Sequence, residues 1–446
     1  MEARTPVTSS KVCEDRDMTR SAPVEGVDRV EPVQVDDAML HRRWVVLALL
    51  FAIIVINFMD RQTMSMLAPV LRSVLHLSNT AYGRIVAALQ FGMMSCEFPI
   101  GWMMDRWGAR LGLTAAALIW SAITGSQFFT RSGVQLGITR YWMGTAEVAS
   151  ISGGMKTVSH LFTDKERTLA IGIFNSGTVI GTVLAPLLVV ILLQRYGFRV
   201  AFLAPALLAF LWLPFWWVTQ RGNRLHPKAT DVSATPARVL LGSSSTWAVM
   251  LCRMLIGPVM QFYWYWTPSY LYSTRHMSLV QIGLVGWIPF LLGVSGGIAG
   301  GAAAGWLQAR KFSLYNTRRI TMFGSSLLCV ASLAVPWMAS ATTALVMISV
   351  AIMAHNFLSA NMYAAITDLF PGRLVGRVTG LTGVSGGLSG LMLPLLTGVL
   401  VDHFSCTPVF VLIAFMPLLG TVALFLVGRR YRMQDTKSQQ VELVEG

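Results

Sequence analysis

Charged side chains interrupt the long apolar segments of this chain at a few positions. Asp60 and Arg61 stand in the first apolar segment, and Arg140 and Glu147 stand in the fourth. Arginine binds a carboxylate through two parallel hydrogen bonds, and a buried Asp or Glu gains or loses a proton according to its surroundings. This combination of residue types predicts the binding of an organic anion beside groups that exchange protons.

The spacing of these four residues predicts how they are arranged. Arg140 and Glu147 are seven positions apart, almost two helical turns, so both lie on one face of a helix. Asp60 and Arg61 are neighbours and point about 100° apart. We therefore expect Arg61 to face a central cavity and Asp60 to lie behind or beside it. Arg140 is expected to pair with Glu147 or to lie at the outer rim. The alternative is that all four form structural ion pairs between helices.

Isolated polar residues complete the candidate site. The aromatic run Phe262–Trp266 could line a sugar or ring acid, or lie at the membrane interface as an aromatic belt. His355 is either a substrate contact or a structural histidine. Glu97 and Arg253 are open between function and ion pairing. The candidate substrate contacts besides Arg61 are Asn57, Asn175, Thr178, Tyr263, Trp264, His355 and Asn356.

The segments that must hold these residues are long enough to cross a membrane. The chain has 446 residues, of which 54% are hydrophobic and 13% charged, whereas soluble domains carry roughly 25% charged residues. Apolar stretches of about 20 residues, the length that crosses a bilayer core as a helix, recur along the chain. They lie near 44–67, 82–104, 111–130, 134–160, 168–193, 200–219, 246–272, 280–307, 320–338, 342–366, 378–400 and 408–428. The sequence thus predicts an all-α membrane protein with twelve transmembrane helices.

The net charge of +14 is distributed unevenly between the loops. Lys and Arg are concentrated in the loops that share a side with the N-terminus and are sparser in the loops on the other side. Because cytoplasmic loops are enriched in Lys and Arg, the basic residues indicate orientation rather than a nucleic-acid partner. We expect both termini in the cytoplasm and the protein in the inner membrane, surrounded by the lipid bilayer.

The longest polar break between apolar segments, about 220 to 245, divides the chain into two sets of six. A single constant offset places Leu161-Phe162 on Leu369-Phe370, Pro186 on Pro394 and Glu147 on His355. These landmarks indicate a duplicated six-helix unit, whose two copies face each other around a cavity near the bilayer midplane. The predicted regions are a disordered cytoplasmic tail 1–40, a first half 41–219, a cytoplasmic linker 220–244, a second half 245–428 and a cytoplasmic tail 429–446.

Other motifs give no support to catalysis. The five cysteines are scattered without paired spacing, so neither a disulfide framework nor a metal site is expected. Gly383-Val384-Ser385-Gly386-Gly387 and Gly293-Val294-Ser295-Gly296-Gly297 match the G-x-S-x-G pattern of hydrolases. Both lie inside apolar segments, where small residues allow close helix packing instead. We expect no enzymatic activity and no cofactor, with protons as the coupling ion.

The loop after the second apolar segment carries a motif, Gly101-Trp102-Met103-Met104-Asp105-Arg106-Trp107-Gly108-Ala109-Arg110. It resembles the signature loop of the major facilitator superfamily, G-x-x-x-D-R-x-G-x-R, and every fixed position is filled. In that family the loop latches the cytoplasmic side closed in one state. The resemblance implies a fold of two pseudo-symmetric six-helix halves. It also implies a gating role for Gly101, Asp105, Arg106, Gly108 and Arg110.

Within that superfamily the chain resembles the anion:cation symporters, and most closely the bacterial hexuronate and sugar-acid transporters. The residues that carry this include Asn57-x-x-Asp60-Arg61, Arg140-x-x-x-Gly144-x-x-Glu147, Phe174-Asn175-x-Gly177, Trp266-x-Pro268 and Ala354-His355. The resemblance implies proton-driven symport of an organic anion by alternating access. It places the substrate carboxylate on Arg61 and proton binding on Asp60 and Glu147, beside Arg140.

Several alternatives stay open at this point. Phe58 and Met93 stand where relatives commonly have tyrosines, and Glu97 stands where glutamine is common. A hexuronate, an aldonate and a less hydroxylated or aromatic carboxylate therefore all fit. The residues do not separate uptake by symport from export of metabolites or drugs by proton antiport. A membrane sensor built on a transporter fold is a further alternative. A monomer suffices for the transport mechanism.

Overall fold

The computed structural model describes residues 37–220, 240–370 and 372–427, and every regular element in these ranges is a helix. The predicted C-terminal tail, most of the predicted linker and the predicted N-terminal tail up to residue 36 lie outside the described residues. The helices are α1 (Asp37–Val74), α2 (Asn79–Ser126), α3 (Gly133–Leu161), α4 (Asp164–Tyr196), α5 (Phe198–Thr219), α6 (Ser244–Ser273), α7 (Leu279–Val285), α8 (Ile288–Ala309), α9 (Leu314–Cys329), α10 (Ala341–Leu369), α11 (Gly372–His403) and α12 (Thr407–Val427). Two 3-10 segments, Gln127–Phe129 and Val330–Trp337, extend α2 and α9.

Serine residues define where five of these helices begin. Each accepts a hydrogen bond from the backbone N–H three residues later, which satisfies a donor that has no partner inside the helix. These serines are Ser78, Ser132, Ser278, Ser313 and Ser340, at the starts of α2, α3, α7, α9 and α10. The helix starts are therefore encoded locally, in the short loops between spans.

The helices differ from the predicted spans where the backbone turns without ending a helix. α2 contains two predicted spans, a first arm (79–107) and a second arm (109–126), separated by Gly108 at φ 73° and ψ 166°. An L side chain is strained at this φ, which explains the glycine in the signature loop. Conversely, α7 and α8 form one predicted span that is interrupted before Pro289, a residue without a backbone N–H.

Three described helical segments of spanning length are too polar to be recognised by hydropathy alone. Nine helices in the described part of the chain are long and apolar enough to cross a membrane. The other three are the first arm of α2, α3 and α6. They are of spanning length, but they hold Glu97, Arg140, Glu147 and Arg253. The charged residues of the candidate site are thus concentrated in these three spans and α1.

The two halves repeat one pattern of helix packing. In the first half, α1 packs along α4 and α5, and α2 packs along α3 and α5. In the second half, α6 packs along α11 and α12, α8 packs along α10, and α9 packs on α12. The halves meet through three contacts: α2 with α11, α4 with α7 and α8, and α1 with α6. This is the pseudo-symmetric arrangement that the sequence repeat predicts, so the predicted fold class is confirmed.

Contacts between the halves close one end of the molecule, which we call the outer end. The Asp402 carboxylate on α11 accepts hydrogen bonds from the backbone N–H groups of Asn79 and Thr80, at 2.8 and 2.7 Å. At the same end, the Ser65 hydroxyl donates to the carbonyl of Trp264 at 2.6 Å. The signature loop lies at the opposite end of the first arm of α2. The halves are therefore held together at this end, and we call the opposite end, where the signature loop lies, the inner end.

Candidate functional site

A buried ion pair between α1 and α3 forms the centre of the candidate site. The Nε of Arg61 donates to Oε1 of Glu147 at 2.7 Å, and the two side chains are 9% and 0% exposed. The Arg61 guanidinium also lies 3.3 Å from the sulfur of Met93 and 5.1 Å from the ring centre of Phe58. The second oxygen of Glu147 has no hydrogen-bond partner. The pair is thus held by apolar neighbours and leaves one carboxylate oxygen unused.

A second ion pair lies beside the first. An Nη of Arg140 is 3.8 Å from Oδ1 of Asp60, and both side chains are almost fully buried. The other oxygen of Asp60 accepts from the Trp120 indole at 3.0 Å and from the Thr124 hydroxyl at 2.7 Å, both on the second arm of α2. Asp60 therefore lies behind Arg61, turned toward the interior of the first half.

The expected pairing of Arg140 with Glu147, or its placement at the outer rim, is not what forms. Arg140 is 1% exposed and takes Asp60 as its carboxylate partner, while Glu147 takes Arg61. Residues two turns apart on α3 are separated along the helix axis by roughly 10 Å. Arg140 and Glu147 therefore do not pair with each other, and each pairs with a neighbour on α1.

These two pairs form a compact group of two cations and two anions. The charges of Arg61, Asp60 and Arg140 all act on Glu147. A buried ion pair stabilises a fold only weakly, whereas removing one partner leaves an uncompensated charge. A carboxylate that bound Arg61 would therefore have to replace Glu147, and protonation of Glu147 would remove the competition. The geometry can couple anion binding to proton binding.

The aromatic run of α6 separates into residues that face the site and residues that do not. Trp264 contacts Phe58 edge to face, with ring centres 5.6 Å apart. Tyr263 is fully buried, and its hydroxyl is 2.6 Å from that of Ser332 in the 3-10 segment after α9. The Tyr263 hydroxyl is thus engaged inside the second half, and its contact with a substrate stays a prediction. Tyr265, two positions along and on the other side of α6, lies close enough to interact electrostatically with Arg61 and Glu147.

The second half contributes its own polar group. The Nε2 of His355 is 3.3 Å from the Ser359 hydroxyl, and its buried Nδ1 has no hydrogen-bond partner. Arg253 lies close enough to His355 to interact with it electrostatically. The Arg253 guanidinium is also 5.4 Å from the ring centre of Tyr363. This group of Arg253, His355, Ser359 and Tyr363 lies where α6 meets α10.

The remaining predicted contacts are dispersed. Asn57 is fully buried on α1, and neither atom of its amide has a hydrogen-bond partner. Asn356 is directed at α8, where its amide nitrogen would contact a Cβ at Gly293. Asn175 is exposed on α4, and Thr178 donates its hydroxyl to the carbonyl of Asn175 at 2.8 Å. Asn57 lies about one helical turn before Asp60 and Arg61 on α1, whereas the contacts of Asn356 and Thr178 are with α8 and with Asn175.

Two glutamines that sequence reasoning did not identify meet where the halves touch. A Cβ at Gly390 on α11 would lie 2.6 Å from the Gln261 amide nitrogen and 2.8 Å from that of Gln90. Gln90 lies on α2 and Gln261 on α6, so both halves contribute. The amide oxygen of Gln261 has no hydrogen-bond partner. The signal in the sequence was an uncharged amide inside an apolar segment, which is weaker than a charge.

The predicted gating residues lie at the inner end. Gly101 belongs to the first arm of α2, and Arg106 is exposed with its guanidinium 5.5 Å from the Trp102 ring centre. Arg110 stacks on Trp217 of α5 at 4.2 Å, within its own half. The backbone of Asp105 is helical, and its side chain is outside the described part of the structure. Over the described residues, no group of three or more His, Cys, Asp or Glu side chains could hold a metal ion.

Comparison with known proteins agrees with this architecture. The family model described as "Major Facilitator Superfamily" matches residues 50–355 and 313–444. The chain is 27% identical over 405 residues to the "Hexuronate transporter" of Escherichia coli (strain K12), covering 86% of this chain and 94% of that protein. It is 25% identical over 433 residues to the "Probable galactarate/D-glucarate transporter GarP" of the same organism, with coverage of 89% and 97%.

A solved structure supports the fold. The crystal structure of a D-xylose-proton symporter superposes with a TM-score of 0.70 at 14% identity, covering 86% of this chain and 97% of that one. At this identity the match concerns the fold alone. The relatives are transporters and not enzymes, in agreement with the expectation from the sequence. The chain therefore belongs to the Major Facilitator Superfamily and is a multi-pass membrane transporter of that family.

Proposed function

We propose that this protein takes up a small sugar acid, such as a hexuronate or aldonate, together with protons. The observation that carries the proposal is the buried Arg61–Glu147 pair, with Nε and Oε1 2.7 Å apart. It combines a cation that can bind a carboxylate with an acid that competes for that cation. The relatives named for hexuronates and for galactarate and D-glucarate transport sugar acids, which supports the class of cargo.

In this proposal the inward-facing shape with Arg61 bound to Glu147 is the state after cargo release. The protein resets to an outward-facing shape, and Glu147 then takes up a proton from the outside. Its hold on Arg61 weakens, because a neutral acid no longer attracts the guanidinium as an ion. Arg61 is then available for the carboxylate of the cargo. Binding of the cargo is thereby linked to binding of a proton.

Release into the cytoplasm follows the same exchange in reverse. After the halves rock to the inward-facing shape, Glu147 loses its proton to the cytoplasm and again competes for Arg61. The cargo carboxylate loses its partner and leaves. A cargo favours the occluded shape only if its contacts there are better than in the open shape. Gln90, Gln261 and Tyr265, on α2 and α6, are the residues we assign to the hydroxyls of the cargo.

Asp60 and Arg140 take a different role in this proposal. Asp60 is the second proton-binding group, because one of its oxygens lacks a hydrogen-bond partner while the other is held by Trp120 and Thr124. Arg140 balances its charge. We propose that the protein works as a monomer in an inner membrane, with both termini in the cytoplasm and without a cofactor. The signature loop, including Asp105, would latch the inner end in the outward-facing shape.

Transport assays in proteoliposomes test the proposal. Wild-type protein is expected to concentrate labelled galacturonate when the outside is acidic, and to equilibrate it without a pH gradient. Glu147→Gln is expected to lose concentrative uptake but to keep exchange of cargo across the membrane, because its neutral side chain mimics the protonated state. The control is Glu166→Gln, which removes an acid paired with Arg43 away from the site.

Two results would contradict the proposal. If Glu147→Gln still concentrates galacturonate under a pH gradient, the proton does not act through Glu147. If an outward rather than an inward flux of the acid follows the proton gradient, the protein is an exporter by antiport. The direction of flux therefore separates the proposed function from its alternative.

A further inference from the structure

Arg253 is a cation in the second half that the mechanism above does not use. Its side chain is half-buried on α6. In the described part of the chain, no Asp or Glu lies within ion-pair distance of it, whereas Arg61, Arg140, Arg43 and Arg318 all have such partners. A charge inside a membrane span is unfavourable without a partner, so it normally faces water or a ligand.

Arg253 lies between α10 and α11, beside the helix that packs on the first half. On α10, His355, Ser359 and Tyr363 follow one another at four-residue intervals and therefore lie on one face. Arg253 lies against this face, with its guanidinium 5.4 Å from the Tyr363 ring centre. On the α11 side, a Cβ at Gly386 would lie 3.1 Å from its Nε. Two polar helix faces thus meet around one guanidinium.

The contacts of α2 and α11 give the depth of Arg253 relative to Arg61. Along the two antiparallel helices, Gly390 lies beside Gln90, Gly387 beside Met94 and Gly383 beside Glu97. Arg61 contacts Met93 on α2, and Arg253 contacts Gly386 on α11. The two arginines therefore lie within about one helical turn of each other in depth, roughly 5 Å. They belong to opposite halves, Arg61 to α1 and Arg253 to α6.

The charges around Arg61 and Arg253 decide what these two cations can bind together. Asp60 and Arg140 cancel each other, and protonated Glu147 would leave Arg61 free. Glu97 on α2 is a further acid close to Arg253. It is exposed and lies beside Gly383 of α11, about one turn beyond Arg253 toward the inner end. Two cations at similar depth then face one cargo. Resting on the proposed function, we propose that Arg253 binds a second carboxylate, so that the preferred cargo is a sugar diacid held at both ends.

The experiment compares two acids that differ at one carbon. Galactonate has one carboxylate and a terminal alcohol. Galactarate has a second carboxylate in place of that alcohol and keeps the remaining hydroxyl groups. Each is titrated against labelled galacturonate uptake in proteoliposomes. Wild-type protein is expected to bind galactarate at least tenfold more tightly than galactonate. Arg253→Gln is expected to lose at least tenfold in galactarate affinity, because a hydrogen bond to a charged group is lost, and to keep galactonate affinity within threefold.

Two matched variants control for charge. Lys156→Gln removes a cation from α3, on a face away from Glu147, and is expected to leave the ratio of the two affinities unchanged. Glu97→Gln is expected to keep or increase the preference for galactarate, because it removes a negative charge near Arg253. Loss of the preference in either variant would overturn the assignment of the second carboxylate to Arg253.

The outcomes distinguish this inference from the proposed function. If galactonate and galacturonate are transported but galactarate is not preferred, the inference fails while sugar-acid transport stands. If Arg253→Gln lowers the affinity for galactarate and for galactonate equally, Arg253 does not bind the second carboxylate specifically, and the inference fails again. If no sugar acid binds or is transported, the proposed function itself is wrong.

Discussion

The two halves of the molecule repeat one packing pattern but distribute their polar residues differently. In the first half, both central acids are tied to arginines, Glu147 to Arg61 and Asp60 to Arg140. In the second half, Arg253 has no acid partner among the described residues, and His355 contacts the Ser359 hydroxyl. The comparison teaches that duplication preserves how helices pack, while side chains decide what each half does. We assign proton exchange to the first half and recognition of the far end of the cargo to the second.

The largest expected effect on uptake comes from substituting Arg61, the cation that we assign to the cargo carboxylate. Arg61→Lys should reduce uptake of galacturonate at least 100-fold, because an ammonium cannot form two parallel hydrogen bonds with a carboxylate. Initial rates in proteoliposomes measure this. Arg318→Lys is the control, since Arg318 pairs with Asp368 on α10 away from the cavity. Uptake within threefold of wild type in Arg61→Lys would mean that the cargo is bound elsewhere.

The second prediction concerns the pair behind Arg61. Asp60→Asn and Arg140→Gln should each lower the free energy of unfolding by about 3 kcal/mol, because each leaves a buried charge without its partner. The double variant should lose less than the sum of the two, by about 1–3 kcal/mol. Denaturation in detergent measures the cycle. Additive losses would show that the 3.8 Å separation is not an energetic interaction.

The third prediction tests Gln90 and Gln261, whose side-chain amides meet beside Gly390 where the halves touch. Gly390→Ala should reduce uptake about tenfold, because the added methyl would contact both Gln261 and Gln90 and displace them. Gly380→Ala on the same helix is the control, since nothing lies within 4 Å of a Cβ at that position. Equal transport by the two variants would remove these glutamines from the site.

The fourth prediction compares two tyrosines on opposite sides of α6. Tyr265→Phe should raise the KM for the cargo about fivefold, because its hydroxyl is assigned to cargo binding. Tyr263→Phe should leave KM unchanged and lower stability by about 1 kcal/mol, because it loses the hydrogen bond to Ser332. Transport kinetics and thermal unfolding separate the two. An increase in KM for Tyr263→Phe alone would reverse our assignment of the two faces.

The smallest expected effect concerns the outer contact between the halves. Asp402→Asn should increase the outward-facing population two- to threefold, because an amide accepts hydrogen bonds from Asn79 and Thr80 less strongly than a carboxylate does. A cysteine introduced as Ser269→Cys, buried near the outer end of α6, reports this as faster labelling from outside. Unchanged or slower labelling would show that this contact does not hold the outer end closed.

The sequence predicted the membrane fold well, because a spanning helix requires a long apolar segment whatever its neighbours are. The charges of the site were also identified, since charge inside such segments is rare. What the sequence could not give is how one helix is rotated against another. Spacing placed Arg140 and Glu147 on one face, but only packing decides that Arg140 reaches Asp60. The same limit left Tyr265 unidentified, although it lies close to Arg61 and Glu147.

Uncharged groups were harder to identify for a related reason. Gln90 and Gln261 resemble any other amide in a helix until α2, α6 and α11 are assembled around Gly390. Arg253 was visible as a charge, but whether it had a partner depended on residues far away in the chain. The absence of a described acid beside it is a property of the folded molecule, and no local pattern contains it.

The polar character of α3 has a consequence for how the protein enters the membrane during synthesis. This helix carries Arg140 and Glu147 at a depth where a lone span is unfavourable in lipid. Their partners, Asp60 and Arg61, are on α1, which leaves the ribosome earlier. We expect α1 to remain beside the insertion machinery until α3 arrives, so that the two spans enter the lipid as neutralised partners. Integration of this half would then be a cooperative event among helices rather than a series of independent insertions.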